Sequence, residues 1–470
     1  MRWWLTPWPV VAPADRIRAT LLFALGPLAV IIVRLARRSA AREIHRRGTR
    51  IAACRPWYWP SRVAACAASG RLTLAGVPIA PADELKHFKF IGTTGTGKST
   101  AIRELLALAL QRGDRAIISD PDGGYAARFG RHYRGDVILN PFEPDSVRWD
   151  PYGEVHDPYD IEQLASALIP SSEDPASQEW RGYARTFVTA VLRRSRAGCR
   201  RDPAELWRLL AIATAEELRA VVAGTPAQPF LEPDNARMFA SIRSVAVSAM
   251  AAIEYIQAQR AAPFSVRAWT KAGRGVLFVP YRAGQIAALR SIIAAWIRLA
   301  IVEAMNRQED HDQRLWFVVD ELDALGAIDG LKDALARLRK FGGRCILGFQ
   351  SVAQVSSTYG HGDAQTIVEN CGNTLILRCS GSEQGGTSQF ASRLIGEREV
   401  IRRQRSRGRD REGLLPIVGT RRSMQVNEHQ VIESAVLASE LEQLPDLSGY
   451  LKTASSSAWT RVRLRPPVPR

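Results

Sequence analysis

The residue types best suited to chemistry stand together in one glycine-rich segment. Gly92–Ser99 matches the pattern GxxxxGK followed by Ser or Thr at every fixed position. Glycines let backbone N–H groups converge on phosphate oxygens, and the positive end of a following helix strengthens that attraction. The pattern predicts that Lys98 reaches the β- and γ-phosphates of ATP and that the Ser99 hydroxyl ligates Mg²⁺. The predicted nucleotide contacts are Gly92, Thr93, Thr94, Gly95, Thr96, Gly97, Lys98, Ser99 and Thr100.

Two adjacent acids give a second chemical signal. Asp320 and Glu321 follow Leu315–Val319, a continuous apolar run of the kind found in a buried parallel strand. In enzymes with this phosphate-binding loop, an Asp at such a strand end holds the Mg²⁺ shell, and a following Glu can polarise the attacking water. We therefore predict a metal role for Asp320 and a catalytic role for Glu321. The alternative is a strand that merely ends in solvated acids.

Two further candidates follow the acid pair. Gln350 ends the next apolar run, so it could sense the γ-phosphate or transmit its loss to other loops. Arg337, Arg339 and Lys340 lie on the predicted helix between the two runs. An arginine at this place could reach the nucleotide of a neighbouring subunit. The alternative for each of these residues is an ordinary solvated side chain on a helix face.

These residues can meet only if the strands before them share one sheet. Apolar runs of strand length alternate with helical segments, which predicts an α/β fold with a parallel sheet covered on both faces. Ligands bind such sheets at the carboxyl ends of the strands, where Lys98, Asp320 and Gln350 are expected. The predicted strands are Phe88–Ile91, Arg115–Asp120, Gly275–Pro280, Leu315–Val319, Arg344–Gln350 and Asn373–Arg378.

The composition describes a folded chain with an excess of positive charge. Its 470 residues are 46% hydrophobic and 24% charged, which excludes a wholly disordered chain and a polytopic membrane protein. The formal net charge of +17 favours a polyanionic partner, either nucleic acid or an anionic membrane surface. Arg34–Arg50 has seven arginines and one glutamate, and Arg398–Arg422 has nine arginines and three acids. These two windows hold most of the excess.

The first of these windows follows an apolar segment. Ile17–Leu35 is 19 residues long, with tryptophans before it and arginines after it. This arrangement predicts an N-terminal transmembrane segment with the remainder of the chain on the cytoplasmic side. The alternatives are a buried helix and a signal peptide, and arginines in place of a small-residue cleavage site disfavour the signal peptide. On this interpretation the arginines of 34–50 set the orientation of the chain in the membrane and contact lipid headgroups.

Several blocks resemble a known family, the TraD/TraG family of type IV secretion coupling proteins, which are conjugative DNA-transport ATPases. The matching stretches run from Leu72 to about Leu451. The phosphate-binding loop alone is generic, whereas the block Asp320–Gly360 is much more specific. The blocks are Leu74–Pro78, His87–Ser99, Asp320–Gly360, Gly396–Val400 and Leu444–Leu447.

The resemblance implies an architecture and a setting. Members have an N-terminal membrane anchor, a RecA-like motor domain and an all-α domain inserted in it. They act as hexameric rings at the cytoplasmic face of the bacterial inner membrane, where they connect relaxase-bound DNA to a type IV secretion channel. By position, Gln350 corresponds to the motif-III glutamine and Arg339 to the finger-like arginine. The nucleotide residues of the family correspond to Lys98, Ser99, Asp320 and Glu321.

The resemblance also suggests a division of the chain. We expect the anchor and a basic juxtamembrane segment in residues 1–60, and the first part of the RecA-like domain in 61–153. Residues 154–262 have helical spacing throughout and fit the inserted all-α domain, and 263–470 supply the rest of the motor. The arginines of 193–201 are either DNA contacts or a solvated face. Those of 402–409 are either mobile pore or rim contacts, or part of a solvated loop.

The predicted function is ATP-driven, largely sequence-independent DNA translocation in bacterial conjugation, by a homo-hexamer at the inner membrane. Three alternatives remain. The first is another DNA motor of the FtsK type, and the second is an ATPase that powers assembly of a secretion machine. The third is a receptor that uses nucleotide only to change shape and recruit its cargo. DNA-stimulated ATP turnover would separate this receptor from the motors.

Overall fold

A computed structural model of the protein describes residues 44–52, 68–172, 174–198, 201–382, 385–410 and 421–465, with the backbone alone for 404–410 and 421–425. The strands are β1 (Ile44–Gly48), β2 (Ile51–Ala52), β3 (Thr73–Leu74), β4 (Val77–Pro78), β5 (Phe88–Ile91), β6 (Arg115–Pro121), β7 (Val137–Ile138), β8 (Arg148–Trp149), β9 (Pro263–Phe264), β10 (Val276–Tyr281), β11 (Leu315–Val319), β12 (Gly343–Phe349), β13 (Asn373–Ile376), β14 (Glu397–Asp410), β15 (Arg421–Ser434), β16 (Ser448–Lys452) and β17 (Trp459–Arg463).

The helices fall between these strands and cluster in the middle of the chain. They are α1 (Pro81–Glu84), α2 (Lys98–Gln111), α3 (Gly124–Phe129), α4 (Asp160–Leu168), α5 (Pro175–Ala197), α6 (Pro203–Trp207), α7 (Ala215–Val222), α8 (Ala236–Ala249), α9 (Ala252–Ala258), α10 (Val266–Ala272), α11 (Ile286–Met305), α12 (Leu331–Arg337), α13 (Val352–Tyr359), α14 (His361–Asn370), α15 (Gly386–Ile395) and α16 (Ala438–Glu442).

Strand pairing builds one large sheet in the order β2-β17-β16-β13-β5-β12-β11-β6-β10-β7. The strands from β13 to β7 run parallel to their neighbours, whereas β16 pairs antiparallel with both β13 and β17. Parallel neighbours need crossover connections, and helices such as α2, α11 and α12 lie in those connections. The predicted α/β fold with a mainly parallel sheet is therefore confirmed.

The central strands are buried on both faces. Every residue of β5, β10, β11, β12 and β13 is buried, as expected for parallel strands between layers of helices. Phe88, Phe90 and Trp316 belong to one hydrophobic cluster with Ile102 and Leu105 of α2. The rings of Phe88 and Trp316 are 5.9 Å apart. This packing fixes α2 against the sheet, and with α2 the loop that precedes it.

The strands predicted from the sequence are all present in this sheet. Phe88–Ile91 and Leu315–Val319 are found with the predicted bounds, and the other four differ by one or two residues at one or both ends. Gln350 lies one residue beyond β12 rather than inside it. The apolar runs locate these strands well because parallel strands are buried along their whole length.

The described residues between 160 and 258, which are 160–172, 174–198 and 201–258, form helices and turns without a strand. Strands β8 and β9 pair where this segment leaves the sheet and returns, with Trp149 opposite Phe264. The buried Glu154 carboxylate holds the same junction. It accepts hydrogen bonds from Trp149 Nε1 at 2.9 Å, from Val266 N at 2.6 Å and from Arg267 N at 3.0 Å. The base of the helical segment is thus fixed by buried polar contacts.

The described residues of the arginine-rich window near the C-terminus, 398–410 and 421–422, lie in two strands. β1, β14 and β15 make an antiparallel sheet in a compact unit of its own, whose described residues are 44–50, 396–410 and 421–435. Sequence analysis offers a solvated loop for the arginines of 402–409, and that alternative is wrong because these residues lie in β14. Arginines that alternate with other residues have the period of a strand, and pairing along 14 residues with β15 satisfies the backbone.

The predicted membrane segment, Ile17–Leu35, lies outside the described residues. Across the part of the chain that the structure describes, no single helix has both the length and the apolar composition of a membrane span. One bent pair, Pro233–Ala249 with Ala252–Ala258, has both and is bent by 59°.

A buried ion pair of α4 should stabilise the helical segment more than its exposed neighbour does. Asp160 and Arg267 are 2.6 Å apart, with side chains only 3% and 2% exposed. We expect Asp160→Ala to lower the free energy of unfolding by about 3–5 kcal/mol, because it leaves a buried guanidinium unpaired. Urea denaturation followed by circular dichroism measures this change.

Glu162 on the same helix provides the matched control. Its ion pair with Arg193 is 2.7 Å long, but the two side chains are 64% and 43% exposed. We expect Glu162→Ala to cost about 0–1 kcal/mol. Equal losses in the two variants would contradict the importance of the buried pair.

Candidate functional site

The phosphate-binding loop joins β5 to α2 at the carboxyl edge of the sheet. Gly95 and Gly97 have φ angles of 77° and 117°, a region that side chains rarely adopt. Space is also restricted at Gly97, where a Cβ atom would lie 2.8 Å from Cδ2 of Leu447. The loop glycines are therefore required by conformation and by packing, independently of any ligand.

Backbone hydrogen bonds anchor the loop to neighbouring strands. Thr93 N donates to the carbonyl of Arg378 at 2.9 Å, just beyond β13. Gly92 N donates to the carbonyl of Phe349 at 3.3 Å, at the end of β12. Leu447 N donates to the carbonyl of Thr96 at 2.9 Å. These contacts hold the loop from several sides, and sequence analysis does not identify Leu447 as a participant.

Lys98 begins α2 and turns its ammonium group back over the loop. Its Nζ donates to the carbonyls of Gly92 at 2.6 Å and Thr93 at 3.1 Å. Burial lowers the pKa of Lys98, and the carboxylates of Asp320 and Glu321 oppose that shift. The cation therefore lies where the loop glycines converge, as the motif predicts. Ser99 and Thr100 follow it in the first turn of α2.

Asp320 is the centre of the hydrogen bonds beside Lys98. Its Oδ2 accepts from Ser99 Oγ at 2.6 Å and from the Tyr125 hydroxyl at 2.7 Å. Its Oδ1 is buried and has no hydrogen-bond partner among the described residues. Magnesium prefers oxygen ligands, and a buried carboxylate oxygen without a donor is suited to a hard cation. Ser99 and Asp320 therefore fit a magnesium site.

Glu321 points to a different set of partners. Its Oε1 accepts from Gln350 Nε2 at 3.2 Å, and Gln350 Oε1 accepts from the hydroxyl of Thr94 at 3.0 Å. Gln350 thus connects the acid to the phosphate-binding loop. Burial raises the pKa of Glu321, with further contributions from the neighbouring Asp320 and Asp323. A raised pKa makes a carboxylate a better proton acceptor.

A third acid lies next to this pair. Asp120 is the last residue but one of β6, which pairs in parallel with β11, so the carboxyl ends of the two strands are adjacent. Burial raises the pKa of Asp120 to about 6, although the backbone N–H groups of Tyr125 and Ala126 favour its charged form. Sequence analysis gives Asp120 only as the last residue of a predicted strand and assigns it no role in the site. The signal it overlooks is a strand that ends in Asp beside the strand that ends in Asp320.

Arg339 lies apart from the other candidates. It is exposed and belongs to the turn Leu338–Phe341, immediately before the first residue of β12. The phosphate-binding loop follows the opposite ends of the parallel strands. Since β12 has seven residues, about 20 Å of sheet separates the two places. The structure therefore brings together Lys98, Ser99, the acid pair and Gln350, but it does not bring Arg339 to them.

The basic windows are partly neutralised where their side chains are described. Within the unit of β1, β14 and β15, Glu399 pairs with Arg46 at 2.8 Å and also with Arg47. Glu433 pairs with Arg398 at 2.8 Å and with Arg402 at 2.6 Å. The net positive charge of this unit is therefore smaller than its arginines alone would give.

Comparison with known proteins identifies the family of the chain. Residues 71–465 match the family model described as the type IV secretion-system coupling protein DNA-binding domain. The coupling protein TraD of Escherichia coli strain K12 is 32% identical over 396 residues, which are 81% of this chain and 52% of TraD. The coupling protein VirD4 of Bartonella henselae is 33% identical over 82 residues, which are 17% of this chain and 12% of VirD4. The chain spans about half the length of the TraD that it matches.

Solved structures of the plasmid coupling protein TrwB have the same fold. An unbound monoclinic form superposes with a TM-score of 0.77 at 29% identity, covering 90% of this chain and 94% of that one. TrwB in complex with ADP and Mg²⁺ gives a TM-score of 0.76 at 28% identity, covering 90% and 95%. The family model, the TraD alignment and the TrwB superposition each extend over most of the chain. The chain belongs to the family of type IV secretion-system coupling proteins.

Proposed function

We propose that this protein binds ATP with Mg²⁺ and hydrolyses it to move DNA towards a type IV secretion channel. The observation that carries this proposal is the meeting of Lys98, Ser99, Asp320 and the Glu321–Gln350 pair at one edge of the sheet. The related TrwB has been solved with ADP and Mg²⁺ and with the ATP analogue ADPNP, which supports the same ligands here.

Each residue of the site has a separate role in hydrolysis. The Lys98 ammonium attracts the phosphate charge, and the loop glycines let backbone N–H groups approach it. Ser99 and Asp320 would hold Mg²⁺, which when bound would supply positive charge to the phosphate oxygens. Glu321 takes a proton from the attacking water as the new bond to phosphorus forms and the bond to the leaving phosphate oxygen breaks. Gln350 orients Glu321 through its amide.

Arg339 takes part only if subunits assemble. Its place at the amino end of β12 is remote from the loop of its own chain, whereas an exposed arginine can reach across to a neighbour. We therefore include in the proposal a ring of identical subunits, a hexamer by analogy with the family, in which Arg339 approaches the adjacent nucleotide. Such arginines stabilise the charge of the transition state.

The proposed partners are inferred from the net charge of the chain and from the family to which it belongs. The net charge of +17 and the match to a coupling protein DNA-binding domain support DNA as the substrate. Phosphate contacts carry no sequence information, so we expect largely sequence-independent binding. By analogy with the family, we include in the proposal a relaxase and secretion-channel components as further partners, with the motor on the cytoplasmic side of the inner membrane.

Substitution of Glu321 should separate nucleotide binding from turnover. Glu321→Gln preserves the shape of the side chain but cannot accept the proton, so we expect ATP·Mg²⁺ to bind while hydrolysis slows by about 10²–10⁴-fold. Lys98→Ala should instead lose binding of a fluorescent ADP analogue. Single-turnover hydrolysis together with titration of that analogue measures both steps. Rapid turnover by the Glu321→Gln variant would refute its role as the base.

Mixing two inactive variants tests whether Arg339 acts between subunits. Arg339→Ala should lose about 10³-fold or more in turnover, the range for such an arginine. A Lys98→Ala subunit cannot turn over ATP itself but still offers Arg339 to its neighbour. We expect mixed Arg339→Ala and Lys98→Ala subunits to recover ATPase activity that neither has alone.

The neighbouring Arg337 provides the control for that experiment. It is also exposed, and it ends α12 two residues before Arg339. We expect Arg337→Ala to keep near wild-type turnover. Failure of the mixture to regain activity, with both variants folded and assembled, would contradict an action in trans.

DNA should stimulate ATP hydrolysis if the protein is a motor. We expect the ATPase rate of the 470-residue chain to rise on adding single- or double-stranded DNA. Because phosphate contacts release counterions, the apparent DNA affinity should fall linearly with salt on logarithmic axes. The measurement is steady-state ATPase against DNA concentration at several salt concentrations, with oligomeric state recorded by light scattering. Nucleotide binding without any DNA-stimulated hydrolysis would favour a receptor over a motor.

A further inference from the structure

Tyr125 is the buried group beside the acid pair that the mechanism above does not use. Its side chain is only 1% exposed, and its hydroxyl donates to Asp320 Oδ2 at 2.7 Å. Ser99 Oγ donates to the same oxygen at 2.6 Å. Two donors therefore hold one oxygen of the carboxylate, while Oδ1 has no partner among the described residues. The two hydroxyls therefore set the orientation of the Asp320 carboxylate through one of its oxygens.

Three contacts fix Tyr125 itself. The Asp120 carboxylate accepts from the backbone N–H of Tyr125 at 2.9 Å and from that of Ala126 at 2.7 Å. These bonds hold the first turn of α3, the short helix that carries the tyrosine. The guanidinium of Arg103 on α2 lies over the ring, 5.3 Å from its centroid. The ring is therefore held by β6, α2 and α3 before any ligand arrives.

The two donors to Asp320 differ in one respect. Ser99 is itself a predicted metal ligand, so its hydroxyl changes partners when a cation binds. The Tyr125 hydroxyl belongs to a buried ring and is not a predicted metal ligand. It can restrain rotation of the Asp320 carboxylate in both conditions. Partners of this kind orient metal ligands, and their loss commonly costs 10–100-fold in metal affinity.

We propose that Tyr125 is a positioning residue that holds Asp320 in the orientation required for Mg²⁺, through its hydroxyl. This inference rests on the proposed nucleotide and magnesium site. It gives Asp120 a defined part as well, since Asp120 places Tyr125 through the backbone of α3. The gain in nucleotide affinity that Mg²⁺ provides therefore depends on the hydroxyl of Tyr125, whose backbone N–H is bound by Asp120.

Tyr125→Phe tests the proposal because it removes the hydroxyl and leaves the ring. The affinity of a fluorescent ADP analogue is titrated in excess EDTA and in excess Mg²⁺, and the ratio of the two affinities gives the gain from the metal. We expect the affinity in EDTA to stay near that of the wild type and the gain from Mg²⁺ to fall by about ten-fold. The half-saturating Mg²⁺ concentration, measured at fixed analogue, should rise correspondingly.

Tyr359→Phe is the matched control. Tyr359 is also a buried tyrosine, and its hydroxyl accepts from Ile328 N at 3.2 Å, away from Asp320. We expect a comparable change in melting temperature in the two variants, but an unchanged gain from Mg²⁺ in Tyr359→Phe. A loss that is common to both variants would be a general effect of removing a buried phenol, and it would overturn the proposal.

The outcomes also separate this inference from the proposed function. A wild-type protein that gains no affinity from Mg²⁺ would contradict the magnesium site itself. A wild-type gain that Tyr125→Phe retains in full would overturn only the role of Tyr125. An equal loss of affinity in EDTA and in Mg²⁺ would also overturn it, because the hydroxyl would then serve the loop and not the metal ligand.

Discussion

The parallel pairing of β5, β12, β11 and β6 is the constraint on which the site depends. Val319 is paired with Ser119 on one side and with Leu347 on the other, while Phe349 is paired with Ile91. This register brings the residues that follow each strand to one edge of the sheet. A slip in any of these pairs would move an acid or the phosphate-binding loop away from the others. The core packing of Phe88 and Trp316 therefore supports the chemistry indirectly, since it stabilises this register.

Several ionisable groups are buried together at that edge. Isolated burial of a charge is costly, so buried charges need opposite charges or hydrogen-bond donors. Lys98 uses loop carbonyls, Asp320 uses two hydroxyls and Asp120 uses two backbone N–H groups. Glu321 has the amide of Gln350. The Oδ1 of Asp320 is the exception among them, because it is buried and has no hydrogen-bond partner among the described residues.

The net charge does not describe how charge is distributed over the molecule, because ion pairs neutralise some of the arginines locally. A total of +17 points to a polyanion, but arginines of both windows pair with Glu399 and Glu433 in the sheet of β1, β14 and β15. Arg193 in the helical segment likewise pairs with Glu162. Exposed pairs of this kind are weak and sensitive to salt, so a phosphate backbone can compete for such arginines. The sheet is thus compatible with a polyanionic partner without being a uniformly positive surface.

The sequence by itself determined the buried strands, the phosphate-binding loop, the acid pair and the family resemblance that the comparisons confirm. It could do so because buried parallel strands are continuous apolar runs and because the loop glycines have fixed spacing. It did not determine that residues 402–409 form a strand, because alternating arginines without an apolar face are also compatible with a solvated loop. Tyr125, Asp120 and Leu447 reach the site through pairing between segments far apart in the chain. Only the tertiary structure decides such contacts, because sequence spacing carries no information about which strands become neighbours.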